Sequence, residues 1–199
     1  MGKDIETVTL TAYVGANRDL IPKIMEMYVP RGSRVADVTF GKGAFWKDCD
    51  LAAYEFTGTD LVTGTDFRDL PYADGEIDCL ILDPPYMHGG SSIKESINKC
   101  YRNNNASHES VIRLYAAGII EAARVLKKGG TIIVKTQDEI ESGRQRLSHC
   151  EIIGLLEVLG FVVLDLFVLV QRTLPAMRSA YQKSARKNHS YAIVAKLRR

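Results

Sequence analysis

Asp83, Pro84, Pro85 and Tyr86 stand together at the end of an apolar run, residues 77–83, and carry the strongest chemical signal in the chain. Two consecutive prolines stop a strand and stiffen the backbone that follows. The resulting turn fixes a carboxylate, a proline carbonyl and an aromatic ring in one cluster. That cluster suits an exocyclic amino group of a nucleobase, which is a poor nucleophile because its lone pair is delocalised into the ring. Asp83 and the Pro84 carbonyl can each accept a hydrogen bond from the NH2. This favours a pyramidal nitrogen and the positive charge that develops as it attacks a methyl sulfonium, a combination of positioning and electrostatic preorganisation. Tyr86 can stack on a base withdrawn from its duplex or fold.

Three further constellations precede this one. Asp37, Thr39, Phe40, Gly41 and Gly43 follow a short apolar run. Glycines there permit a tight turn and close approach of backbone to a ligand, and a helix beginning after them would offer free amide hydrogens. The pattern lacks the full Gly-x-Gly-x-x-Gly dinucleotide fingerprint. Asp60 closes the next apolar run, 19 residues after Gly41 and 17 after Gly43. An acidic residue about 20 positions beyond such glycines can accept hydrogen bonds from ribose hydroxyls. It also serves as a turn or cap residue. Asp66 and Phe67 form the third set: the carboxylate or its neighbouring backbone can hold an adenine amino group while Phe67 packs on the ring, although a surface turn accounts for them almost equally well.

The elements that would position these residues alternate. Strands are expected at 34–39, 54–60, 77–83, 131–135, 161–170 and 190–197, and helices at 108–128 and 149–159, the first ending at Gly129 and Gly130. Alternation of this kind implies an α/β fold, a doubly wound and mostly parallel Rossmann-like sheet in a single domain over 1–199. Ligands of such sheets bind at the carboxyl ends of the strands, where each constellation falls. Residues 87–107 break the rhythm with about twenty residues of Gly, Ser, Asn, Lys and His, a length that suits a substrate loop.

Composition narrows the classes. With 46% hydrophobic and 25% charged residues the chain reads as an ordinary globular protein. The cysteines, Cys49, Cys79, Cys100 and Cys150, form no Cys-x-x-Cys pair, which points to reduced thiols in a cytoplasmic protein. The charged N-terminus is unlike a signal peptide, and the apolar stretch 152–170 is interrupted by Glu157, Gly160 and Asp165, so no membrane partner is expected. His88, His108, His149 and His189 show no metal-ligand spacing, and no metal is expected. Trp46 reads as a core residue near enough to the glycine turn to flank a ligand. The net charge of +2 is uneven: the stretch 172–199 holds eight basic residues and no acidic one, leaving −6 on the remainder. A basic end on an acidic body suits a polyanion as well as solvent, and Lys183, Arg186 and Lys187 are its candidate nucleic-acid contacts.

In their order and types these pieces resemble the amino-methyltransferase branch of the class I S-adenosylmethionine-dependent methyltransferases, the adenine-N6 and cytosine-N4 type. Phe40, Gly41 and Gly43 match its cofactor motif, and Asp83 to Tyr86 match its catalytic motif. The passage 121–135 across Gly129 and Gly130 is also typical, so the resemblance covers roughly 34–135. It implies S-adenosylmethionine as cofactor and a nucleobase amino group as acceptor. Asp rather than Ser at position 83 points to adenine N6, and the motif order is shared by DNA adenine enzymes and many RNA enzymes. DNA is thus the leading partner, with an RNA base (adenine N6 or guanine N2) as alternative and a non-catalytic nucleic-acid-binding module as a rival of another class. The branch also binds cofactor just before its first strand, where Tyr13 and Asn17 stand. Many of its DNA enzymes carry a separate target-recognition segment; here only 87–107 and 172–189 are long enough, so those segments, a homodimer partner or a separate specificity subunit would read the target.

Overall fold

Short runs of Val, Ile, Leu and Phe that are apolar on both faces become strands of one buried sheet, because helices cover it on either side. The structure, a computed structural model, describes residues 8–86, 107–172 and 184–198. The expected substrate loop therefore lies outside the described residues except for Ser107, as does Lys183. In chain order the elements are β1 (Ala12–Val14), α1 (Asn17–Tyr28), β2 (Arg34–Asp37), β3 (Glu55–Gly58), β4 (Ile77–Leu82), α2 (His108–Val125), β5 (Leu126–Thr136), β6 (Glu139–Glu141), β7 (Arg144–Arg146), α3 (Ser148–Val158), β8 (Phe161–Val170) and β9 (His189–Leu197).

Seven strands form one sheet in the order β1-β8-β9-β5-β4-β2-β3, while β6 and β7 make a separate hairpin. β9 runs antiparallel to both neighbours, and every other pair in the large sheet is parallel. The carboxyl ends of β2, β3, β4, β5 and β8 therefore share one edge. The order reverses between β2 and β4, since β3 lies outside β2 and the chain then crosses to the other side. That reversal is where a crevice opens in such sheets.

The two faces have separate cores. On one, Leu20, Ile21, Ile24 and Met25 of α1 pack with Val35, Ile81, Ile133 and Val194. On the other, α2 and α3 bury Leu114, Ile119, Ile152 and Leu156 against Leu80, Leu82, Ile132 and Val134. The doubly wound, mostly parallel α/β arrangement expected from the alternation is thus present. The apolar stretch 152–170 divides into α3 and β8. Among the described residues no helix is long and apolar enough to cross a membrane.

Several boundaries differ from expectation. α2 stops at Val125, and β5 starts at once, with residues 127–130 bulging from the ladder: Ile77 pairs with Leu126 but Cys79 with Thr131. Lys127 holds that bulge by donating to Asp78 Oδ1 at 2.7 Å. No α-helix follows the glycine turn. Short 3-10 turns at Ala44–Trp46 and Leu51–Ala53 take its place, so the loop presents no helix terminus to a ligand. β1, α1 and the β6–β7 hairpin are additions the sequence reading lacked.

Candidate functional site

The site begins with a buried carboxylate. Asp37 ends β2 and is 2% exposed. Trp46 Nε1 donates to its Oδ2 at 2.6 Å, and the Thr39 amide and hydroxyl donate to its Oδ1 at 3.0 and 3.3 Å. Burial pushes the carboxyl up to about 6 despite these bonds. Asp37 therefore shapes the loop from below, and Trp46 belongs to the core as its brace.

Thr39 joins this loop to the tetrapeptide. Its Oγ1 accepts a hydrogen bond from the Asp83 amide at 2.7 Å, across the reversal between β2 and β4. The main chain of Asp83 is thereby fixed. Among the described residues, the buried Asp83 Oδ1 has no hydrogen-bond partner. A buried acceptor left unmade costs free energy, typically about 1–3 kcal/mol, and so marks a place where a donor is expected. Burial and the nearby Asp37 push the Asp83 carboxyl up, Lys135 pulls it down, and the balance stands at about 6. Tyr86 is half-buried and leans on the α2 side of the core; burial and Asp83 raise its phenol. Pro84 is buried between the two.

Lys135 is the functional candidate that sequence reasoning missed. It lies in β5 and is 2% exposed, and burial pulls its ammonium down to about 8. Tyr115 of α2, itself fully buried, donates to the Lys135 carbonyl at 2.7 Å. The available signal was a lysine at the close of an otherwise apolar strand.

The remaining expected residues divide. Gly41 has φ +54°, and a Cβ there would meet only Thr39 O, at 3.9 Å, so this glycine borders open space. Gly43, φ +65°, is different: a Cβ would lie 2.7 Å from the Phe40 ring, which also fills the space above Gly58. The left-handed φ and the Phe40 ring each require glycine at position 43. Asp60 N-caps the 3-10 turn Leu61–Thr63, its Oδ1 accepting from the amides of Val62 and Thr63 at 2.7 and 3.0 Å. Among the described residues no donor reaches Oδ2, which that cap holds at the end of β3. Asp66 is gripped by Arg68, whose Nε and Nη2 reach its two oxygens at 2.9 and 2.6 Å, and this holds its carboxyl below the usual range. Phe67 is 1% exposed and packs against Gly118 of α2. Its ring supports the segment from within the core.

Tyr13 and Asn17 line a pocket of about 540 Å³ at the carboxyl edge, between β1, the start of α1 and the end of β8. Among the described residues, Asn17 Oδ1 is buried there without a partner. At the basic end, Lys187 Nζ donates to Gln145 Oε1 of the β6–β7 hairpin at 2.5 Å, and Arg186 is half-buried beside it.

These features fit a cationic adenosyl cofactor. Asp37 lies between Asp60 and Asp83 beneath the loop and adds negative charge there, the Asp60 Oδ2 suits a ribose hydroxyl, and a Cβ at Gly41 would project into open space. His108 and His149 make their contacts elsewhere: His108 bridges Glu139 and Glu151 at 2.9 and 2.7 Å, and His149 contacts Asp138 at 2.7 Å; His88 lies outside the described residues.

No protein-family model and no curated protein matches the sequence. Solved structures do resemble the chain. A 1,6-didemethyltoxoflavin-N1-methyltransferase from Burkholderia thailandensis, with bound 1,6-didemethyltoxoflavin and S-adenosylhomocysteine, is 12% identical, with 92% of this chain and 78% of that one covered and a TM-score of 0.57. TrmN from Thermus thermophilus is 18% identical over 90% of this chain but only 48% of its own, with a TM-score of 0.54. A SAM-dependent methyltransferase from Methanosarcina mazei is 12% identical, with 87% and 96% covered and a TM-score of 0.53. At such identities the likeness is one of architecture, and it agrees with the strand order: the chain has the α/β, Rossmann-like fold of the class I methyltransferases.

Proposed function

We propose that this protein is an S-adenosylmethionine-dependent methyltransferase acting on an exocyclic amino group of a nucleobase, adenine N6 in DNA foremost. The carrying observation is the Asp83 carboxylate at the reversal of strand order, with its amide fastened by Thr39 and its buried Oδ1 unpartnered among the described residues. An amino group supplies the missing donor. The names and ligands of the fold neighbours support the cofactor.

Bound S-adenosylmethionine supplies an electrophilic methyl group on a sulfonium. The chain has to present the amine. Asp83 and the Pro84 carbonyl accept the two N–H bonds and draw the nitrogen lone pair out of conjugation, and the Tyr86 ring holds the extruded base from one side. The nitrogen sheds one proton after methylation, for which a carboxylate titrating near pH 6 is a competent acceptor. The segment 87–107 and the basic stretch 172–189 are proposed to engage the nucleic acid. Reaction with duplex DNA and RNA in parallel, followed by mass spectrometry of the nucleosides, tests the assignment. N6-methyladenine in DNA is expected. N4-methylcytosine or a methylated ribonucleoside alone would shift the substrate, and no methylated nucleoside at all would remove the reading.

Asp60 gives a second test. Asp60→Ala should weaken cofactor binding about ten- to a hundredfold, the roughly 1.5–3 kcal/mol of a charge-assisted hydrogen bond. Asp60→Asn keeps an acceptor for the Val62 and Thr63 amides, so it preserves the cap while losing the charge. Calorimetric titration of both variants separates the roles: equal affinity in wild type and the folded alanine variant would confine Asp60 to capping.

A further inference from the structure

Four adjacent strands place one polar residue each on the α1 face of the sheet at this edge. Asp37 ends β2, Asp83 follows β4, Lys135 lies near the end of β5, and Ser190 lies near the start of antiparallel β9. Residues two apart on a strand share a face. These four are in step with Val35, Ile81, Ile133 and Ala192, all buried in the α1 core. Leu82 pairs with Val134, so Asp83 and Lys135 are direct neighbours across the ladder. The Lys135 ammonium donates to Ser190 Oγ at 3.2 Å, and among the described residues no carboxylate forms an ion pair with it.

A buried ammonium held by one neutral hydroxyl is costly, and an apolar residue of similar length would pack as well. Its place beside a carboxylate with an unpartnered oxygen gives it a use. We propose that Lys135, tethered by Ser190, is the fixed counter-charge behind Asp83, a positioning residue that keeps this carboxylate ionised and its oxygens directed at the incoming amine. The catalytic meaning rests on the methyltransferase reading; the charge pairing does not. The charged and titratable groups facing Asp83 are Asp37 from β2, Lys135 from β5, Tyr115 from α2 and its own neighbour Tyr86.

The test is a 13C NMR titration of the Asp83 carboxyl, assigned with Asp83→Asn, in the full chain and in Lys135→Met, Lys135→Arg and Ser190→Ala. Removing an opposite charge at this range should raise the Asp83 midpoint by about 1–3 pH units in Lys135→Met. Lys135→Arg should restore most of the difference, and Ser190→Ala should give a smaller rise. The acid limb of the rate profile should move with the midpoint, while S-adenosylmethionine affinity stays within a few-fold. An unmoved midpoint in folded Lys135→Met overturns the proposal, and so does a midpoint shift without movement of the acid limb in an active enzyme. An unmoved midpoint with more than tenfold loss of cofactor affinity would give Lys135 to the cofactor instead. Should Lys135→Met not fold, Ser190→Ala decides by the same criterion. The titration needs no methyl acceptor. A shifted midpoint in a protein that methylates nothing would thus remove the proposed function and leave the charge pair standing.

Discussion

Asp83→Ala should lower the methyl-transfer rate roughly 10²–10³-fold, the usual cost of removing a group aimed at transition-state charge, while leaving S-adenosylmethionine affinity within a few-fold of wild type. The separation follows from the geometry. Thr39 holds Asp83 through its backbone amide, which alanine retains, so the turn and the crevice beside Gly41 persist. What alanine deletes is the unpartnered oxygen. The pH dependence sharpens the test. Burial raises the Asp83 carboxyl to about 6, so it is charged above that pH and neutral below it. Wild-type kcat should therefore fall as pH drops through about 6. Asp37 titrates in the same range, also because of burial. Asp83→Asn distinguishes them: it keeps the shape and one acceptor, should transfer more slowly than wild type, and should lose the acid limb. An acid limb that persists in Asp83→Asn would assign the titration to Asp37 and the loop that follows β2. Loss of cofactor binding in step with activity would make Asp83 part of the cofactor site.

The legible parts of this fold were those whose burial pattern is simple. β4 and β8 are apolar runs with clear stops, and α2 presents one apolar stripe, so each was found within a few residues of its bounds. α1 went unread although Leu20, Ile21, Ile24 and Met25 have helical spacing with Asp19, Lys23 and Glu26 on the opposite face, because the stripe covers less than two turns and Pro22 stands inside it. β1 has three residues, too few for any period. At the candidate site, the strand ends at Asp60 and at the tetrapeptide are where the sequence puts them, because a turn and a strand end constrain residue type locally. The packing around Gly43 and Phe67 is not readable from residue type, because it depends on where an aromatic ring turns. Phe40 folds over Gly43 and Gly58, and Phe67 fills the gap left by Gly118. Lys135 escaped because a lysine closing a strand looks like a solvated end until the register sets it beside Asp83.

Tyr86→Ala should weaken the capture of substrate and spare the cofactor. Stacking on an aromatic side chain contributes roughly 1–3 kcal/mol per base, so KM for the nucleic acid should rise about 5- to 150-fold. The ring itself, not the hydroxyl, is expected to act. Tyr86→Phe should therefore keep most of the affinity. The ring also leans on the core beneath α2, so alanine will lower the melting temperature somewhat, and phenylalanine will not. That difference makes the pair of variants informative only if measured below the transition, with cofactor affinity as the control for a folded site. A rise in KM with cofactor affinity kept places Tyr86 on the flipped base. If alanine leaves KM unchanged and lowers stability alone, the ring is a wedge between the tetrapeptide and the core, and the base is held by Asp83 and the Pro84 carbonyl without it. A fall in kcat with KM constant would instead mean that the ring orients the amine in the transition state and adds nothing to ground-state binding.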